Sequence, residues 1–209
     1  MSYLFIFLNF CVSARTIYNV SAGVNLWQTY IPVQDFNKDG INEVESSTPG
    51  QELSFYVQFC WNEYFDSYVE AGGFGYNIYN KSLIDTLAFS NWAHHYGLGV
   101  NVYPIQKIKK VYPFLGAGLG LCDYSFEGYG LYGSDYSYDY TSGNKPMYWL
   151  NTGIYVDICK FVSAKLQVRK NFCSYTTIRG WGVGNIICEK EWAINMDALE
   201  IGYSINIQW

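Results

Sequence analysis

Hydrophobic and polar positions alternate along most of the chain, and the pattern is clearest at its end. From Leu199 to Trp209 every second residue is apolar, and the residues between them are polar or glycine. Such alternation predicts a β-strand with one apolar and one polar face. The eight segments that show it are Thr16–Tyr30, Glu52–Trp61, Asp66–Asn80, Ala93–Tyr103, Val111–Tyr124, Met147–Asp157, Val162–Arg169 and Leu199–Trp209.

The connections between these predicted strands are long and short in turn. The long ones are Ile31–Gly50, Lys81–Trp92, 125–146 and 174–192, and the short ones are Asn62–Phe65, Ile105–Lys110 and Ile158–Lys160. This order places every long loop at one end of an antiparallel structure. Each strand has about the 9–11 residues, or more, that a tilted strand needs to cross a bilayer. The sequence therefore predicts an all-β fold, an eight-stranded antiparallel up-and-down transmembrane β-barrel.

A soluble barrel of the lipocalin kind is the alternative fold, and the polarity of the two faces separates the two classes. A lipocalin-type barrel encloses a cavity for its ligand, lined by its apolar face. Here the polar face is dominated by Gly, Asn, Ser, Gln and isolated charges, which would make a poor apolar cavity. We therefore expect the apolar face to meet lipid.

The first fourteen residues are predicted to be a signal peptide. They carry no charge, contain an apolar run from Tyr3 to Val12, and end in Val-Ser-Ala at 12–14, which suits a signal peptidase. An ordinary first strand is the alternative, and a lipoprotein signal at Cys11 is disfavoured by the bulky residue before it. Residues 15–209 are then expected to form a single β-barrel domain.

Composition and charge indicate an ordered domain and limit the kinds of partner that it can bind. The chain has 209 residues, of which 50% are hydrophobic and only 15% are charged, so an ordered domain is expected rather than a disordered chain. The net charge is −5 and there are only 13 Lys and Arg residues. A protein that binds nucleic acid needs a basic surface, so no nucleic-acid partner is predicted.

The sequence also resembles a known family. The stretch Tyr96-Gly-Leu-Gly-Val-Asn-Val-Tyr-Pro104, the basic turn after it, and Tyr112-Pro-Phe-Leu-Gly-Ala-Gly-Leu-Gly120 resemble the central hairpin of small bacterial outer-membrane β-barrels, of the broad OmpA, OmpX and OmpW group. The last ten residues, Glu200–Trp209, are similar to the C-terminal strand signal that the barrel assembly machinery reads. A terminal Trp in place of the commoner Phe, and six cysteines, depart from the family's pattern.

The resemblance implies a location in the bacterial outer membrane, with the lipid bilayer and the barrel assembly machinery as partners. It also implies a plugged barrel rather than a pore, because eight strands enclose only enough space for their own side chains. Five charged residues fall on the predicted inner face: Glu52, Asp157, Lys165, Arg169 and Glu200. Buried charges need partners, so these residues are expected to form an interior network, either as a structural core or as a relay for protons or solutes.

The first long loop contains a pattern typical of calcium sites. Asp35, Asn37 and Asp39 alternate and are followed by Gly40, with Glu43 placed to close the shell. Alternate oxygen side chains before a glycine let a chain curl around a hard cation. The segment departs from an EF-hand, since the twelfth position is a serine and no helices flank it. A solvated acidic turn is the alternative.

Candidate catalytic residues are few. His94 and His95 are the only histidines, with Ser90 nearby, and a lipid-modifying acyl hydrolase or transferase would need one of them to pair with a serine and an acid. Cys173 and Cys188 flank the last loop and are candidates for a disulfide in an oxidising compartment.

The predicted function is therefore not enzymatic and needs no cofactor, apart from the candidate calcium. It is a structural or surface-binding role in the envelope, with an unknown extracellular ligand held by the Tyr- and Gly-rich loops. The lipid-modifying enzyme is one alternative. The other is a conduit for small hydrophobic solutes, which would need a lateral gap between strands.

Overall fold

The computed structural model describes the backbone of residues 19–30, 50–80, 87–105, 110–132, 135–183, 186–195 and 197–209. Side chains are described over 19–30, 50–73, 93–105, 110–123, 144–173 and 197–209. The strands in these segments are β1 (Asn19–Tyr30), β2 (Gly50–Asn62), β3 (Phe65–Asn80), β4 (Leu87–Val102), β5 (Val111–Tyr132), β6 (Asp135–Cys159), β7 (Val162–Phe172), β8 (Ser174–Val183), β9 (Ile186–Asn195) and β10 (Leu199–Gln208). The described part of the chain contains no helix long and apolar enough to cross a membrane.

Eight of these strands close into an antiparallel barrel, which confirms the predicted fold class. Strands β1 to β6 each pair with the next in sequence, and β10 pairs with both β7 and β1 to complete the ring. Val24 of β1, for example, lies opposite Phe55 of β2 and opposite Ile205 of β10. The closed ladder leaves no gap between neighbouring barrel strands within the described residues.

The outer face of the barrel is apolar and exposed. Ile205 of β10 is 62% exposed and Leu119 of β5 is 60% exposed, whereas Glu200 and Asn206, on the opposite face of β10, are fully buried. A continuous band of exposed aliphatic side chains is unfavourable in water and is what a bilayer requires. This arrangement excludes the lipocalin-type alternative, in which the apolar face would point inward.

Glycines allow bulky side chains to fill the narrow interior. Trp149 of β6 is buried and lies against Gly97 of β4 and Gly118 of β5. A Cβ atom at Gly118 would lie 2.1 Å from the Trp149 ring, so a larger residue fits there only if the indole moves. The indole nitrogen donates a hydrogen bond to the Tyr68 hydroxyl at 2.8 Å, which satisfies its polar atom inside the barrel.

The prediction of a loop over 125–146 is wrong, because the two flanking strands continue through it. β5 runs to Tyr132, β6 begins at Asp135, and these two end residues are themselves paired. Tyrosine favours strands wherever it occurs. The segment's repeated Gly, Ser and Asp are typical of turns and favoured the loop, although Tyr136, Tyr138 and Tyr140 alternate with polar residues as in a strand.

The prediction of a loop over 174–192 is also wrong. This segment forms the hairpin of β8 and β9, and β8 pairs with β6 where Arg179–Trp181 lies opposite Ser137–Asp139. We call the paired row of Gly75, Trp92, Ser125 and Ser142 the rim. The strands β3 to β6 continue past the rim, and the β8–β9 hairpin joins them at β6. We call this continuation the rim sheet.

A Cys173–Cys188 disulfide is incompatible with this hairpin. Cys188 lies opposite Trp181, eight residues along β8 from Cys173, which is about 26 Å at the rise of an antiparallel strand. The Cα atoms of a disulfide lie within about 7 Å of each other. The thiol of Cys173 instead lies beside the buried thiol of Cys122 on β5.

The assignment of the outer face to lipid can be tested at Leu119. We expect Leu119→Lys to lower the free energy of unfolding by about 2–4 kcal/mol if the residue lies near the bilayer midplane, because a lysine there loses its hydration. Urea unfolding of the barrel in lipid vesicles, followed by Trp fluorescence, measures the change. Leu119→Met is the matched control and should cost less than about 1.5 kcal/mol. Equal stability of the lysine variant and the control would contradict the lipid-facing assignment.

Candidate interior site

Arg169 of β7 lies at the centre of a buried group of charges. Its guanidinium donates hydrogen bonds to three carboxylates: to Glu200 at 2.5 Å, Glu52 at 2.6 Å and Glu70 at 2.9 Å. All four side chains are at most 5% exposed. We call these four residues together with His95 the arginine cluster. The five residues occupy inward positions on β2, β3, β4, β7 and β10, and the closed barrel brings these positions together.

Neutral side chains complete the environment of the carboxylates. Ser54 donates a hydrogen bond to Glu70 Oε1 at 2.6 Å, and Thr29 donates one to Glu200 Oε1 at 3.3 Å. The Trp27 ring lies 4.1 Å from Arg169 Cζ, in cation–π contact. Charges removed from water are tolerated only with such partners, so the four charged residues of the cluster form one hydrogen-bonded unit.

A second polar group lies around Asp66, which is fully buried. Asp66 accepts hydrogen bonds from Asn101 at 2.8 Å, from Gln58 at 2.6 Å and from the Tyr103 hydroxyl. Lys165 donates to the other end of the Gln58 amide at 2.6 Å. The amide therefore links the Lys165 ammonium to the Asp66 carboxylate through two hydrogen bonds.

The five residues predicted to form one interior network lie in three different places in the structure. Glu52, Arg169 and Glu200 lie in the arginine cluster, while Lys165 lies in the Asp66 group. Asp157 is half-buried near the end of β6, next to a short turn and beside Tyr112.

Three interior charged or titratable residues were missed by the sequence reasoning. Glu70 and Asp66 lie on β3, where three nearby glycines made the facing of the strand ambiguous, although exposed Val69 has the opposite parity and would have placed both inside. His95 was considered only as a candidate catalytic residue. Its parity with Asn101 on β4 was the signal that it points inward.

The interior has little free space. A cavity of about 10 Å³ lies between the two polar groups, lined by residues that include Tyr68, Asn151 and Gln167. Such a volume holds about one water molecule. Among the described side chains, the centre of the barrel is thus filled by its own polar and aromatic residues.

Among the described side chains, the two histidines lie apart on opposite faces of β4. His94 is exposed on the outer face, while His95 is buried between Glu52 and Glu70 and makes no hydrogen bond to a hydroxyl. The side chain of Ser90 lies outside the described residues. The candidate calcium residues Asp35, Asn37, Asp39 and Glu43 and the signal peptide 1–14 also lie outside them, so both stay predictions.

Compared by sequence, the chain matches no protein-family profile and no curated protein. Compared by structure, it is similar to the outer membrane protein OprG from Pseudomonas aeruginosa, with a TM-score of 0.64 and 12% identity over 91% of this chain and 96% of that one. It is also similar to Neisserial surface protein A, with a TM-score of 0.53 and 14% identity over 90% of this chain and 96% of that one. The chain has the fold of small eight-stranded outer-membrane β-barrels, and its apolar outer face is that of a transmembrane barrel.

Proposed function

We propose that this protein is a bacterial outer-membrane barrel that is closed to solutes and displays the rim sheet as a binding surface outside the cell. The proposal rests on two observations. The interior of the barrel is filled, and β5 and β6 are far longer than a strand needs to be to cross a membrane. β5 and β6 have 22 and 25 residues, and about 9–11 are enough to cross a bilayer.

The composition of the rim sheet supports a binding role. Between 124 and 143 there are six tyrosines, four serines and four glycines, with three acidic residues and no basic ones. Binding surfaces of antibodies are enriched in the same three residue types, because tyrosine supplies a large amphipathic contact at low entropic cost and serine and glycine adapt to the ligand. The negative charge favours a neutral or basic partner over a sulfated or phosphorylated one.

The filled interior supports a closed barrel. Arg169, Trp149 and Tyr112 are almost completely buried across the lumen, and opening a pore would break several buried hydrogen bonds at once. A conduit through the wall would need separated strands, whereas the described barrel strands are continuously paired.

A deletion separates the two parts of the proposal. Ser125 and Ser142 are directly paired, so residues 126–141 can be replaced by a two-residue Asn-Gly turn that suits a hairpin. Cells that display the full chain should bind at least one neutral or amino-sugar glycan on an array, and cells with the shortened chain should not. The shortened barrel should still migrate as a folded species in unboiled SDS gels.

Two kinds of result would contradict the proposal. Binding that is equal for the full and shortened chains, or no greater than for cells without the protein, would contradict a binding role of the rim sheet. Stepwise conductance in planar bilayers would contradict the closed barrel, whichever ligand is bound.

A further inference from the structure

His95 has no hydrogen-bond partner inside the barrel. Its side chain is 1% exposed, and neither ring nitrogen makes a hydrogen bond. The Oε2 atom of Glu52, which is also buried, makes none either. Buried polar atoms are nearly always paired. An imidazole and a carboxylate oxygen left over at the same place therefore call for a ligand of another kind.

The distances around His95 suit ligands of one metal ion better than they suit hydrogen bonds. Nε2 lies 3.7 Å from Oε1 of Glu52 and 3.6 Å from Oε1 of Glu70, whereas hydrogen bonds measure about 2.9 Å. Nitrogen and oxygen ligands lie about 2.0–2.2 Å from zinc, so two of them at an angle of about 110–120° are about 3.4–3.7 Å apart. The three residues can each offer one ligand atom within 4.8 Å of the others.

The charge of the arginine cluster leads to the same conclusion. Three carboxylates, those of Glu52, Glu70 and Glu200, are bonded to the single guanidinium of Arg169. With all three carboxylates ionised and His95 neutral, the cluster would carry a charge of −2. The Lys165 ammonium is bonded to Gln58 in the Asp66 group. Uncompensated charge is costly in a buried site, and one divalent cation would bring the cluster to neutrality.

We propose that His95, Glu52 and Glu70 bind a divalent transition-metal ion inside the barrel. One imidazole nitrogen and two carboxylate oxygens favour zinc or a similar ion over calcium and magnesium, which prefer oxygen ligands alone. The Oε1 atoms of Glu52 and Glu70 that lie near Nε2 also accept hydrogen bonds from Arg169, and Glu52 offers its unpartnered Oε2 as a further oxygen ligand. Glu200, which does not reach the ion, holds Arg169 in place from the other side.

Adjacent histidines on opposite faces of β4 provide the test. His95 points into the barrel and His94 points out, so His94→Ala is the matched control for His95→Ala and His95→Gln. Each protein is refolded in detergent with EDTA or with zinc, passed through gel filtration, and analysed for zinc per barrel by mass spectrometry. Folding is checked in every sample by the mobility shift of the unboiled protein in SDS gels.

We expect one zinc per folded barrel in the wild type and in His94→Ala, and at least a tenfold lower content in both His95 variants. The glutamine variant keeps a polar side chain of similar size, so a folded His95→Gln without zinc separates ligand loss from misfolding. With cobalt in place of zinc, the wild type should show visible absorption bands that His95→Gln lacks. A folded wild type that retains no stoichiometric zinc, or His95 variants that retain as much as the control, would overturn the site. Zinc held by the first loop would appear equally in all variants and would also count against it.

Discussion

Arg169→Gln is expected to lower the free energy of unfolding by about 3–5 kcal/mol or to prevent folding, because it leaves Glu52, Glu70 and Glu200 buried without their common cation. Each of these carboxylates accepts a hydrogen bond from the guanidinium at 2.9 Å or less. Urea unfolding in detergent micelles, followed by Trp fluorescence, measures the change. Lys160→Gln is a suitable control, since Lys160 is an exposed cation at a short turn.

A second substitution distinguishes a charge effect from a packing effect. If repulsion among the carboxylates causes the loss, Arg169→Gln combined with Glu200→Gln should cost less than the sum of the two single variants, because the double variant removes one of the unpaired charges. Strict additivity would show that the two residues act independently, and a loss under 1 kcal/mol for Arg169→Gln would show that the cluster contributes little to stability.

Gly118→Val should be the most damaging change outside the arginine cluster. A Cβ atom at this position would lie 2.1 Å from the Trp149 ring, which is 1% exposed and held by its hydrogen bond to Tyr68. Overpacking a well-filled interior costs about 1–3 kcal/mol and more where nothing can move. We expect a loss at or above the upper end of that range, measured as the urea midpoint and as the yield of refolded barrel.

The preceding residue, Ala117, provides a matched control for this variant. Ala117 lies on the outer face of the same strand, so Ala117→Val places the same valine side chain toward lipid, where it should change stability little. Combining Gly118→Val with Trp149→Leu should recover part of the loss, because the smaller side chain makes room for the valine. A Gly118→Val barrel as stable as the Ala117→Val barrel would show that Trp149 is free to move aside.

The barrel strands could be predicted because each carries its information locally. In β10 the alternation of Ile201, Tyr203 and Ile205 with polar residues is complete within a few positions, since one face meets lipid and the other meets the lumen. Strand β3 shows where this reasoning weakens. Because glycines 72, 73 and 75 have no side chain, the sequence of β3 does not indicate which of its faces points inward. Glu70 was therefore missed, although it belongs to the arginine cluster.

The rim sheet could not be predicted in the same way. Past Ser125 and Ser142 the sequence is rich in tyrosine, glycine, serine and aspartate, and such a composition fits a polar loop as well as a strand. The pairing of β8 with β6 at Ser137–Asp139 depends on which strand edge is free above the rim. That edge is free because β7 ends at Phe172, opposite Tyr148 of β6.

The sequence by itself determined the number of barrel strands, their inner and outer faces, and the presence of charges inside, because these depend on a period of two along a single strand. Only the tertiary structure decided which charges meet. Arg169 bonds to Glu70 and Glu52, which precede it by 99 and 117 residues, and His95 joins them from a fourth strand. The stagger of the strands and the curvature of the closed barrel place these positions at the same height along the barrel axis. Neither quantity can be predicted from alternation within a strand.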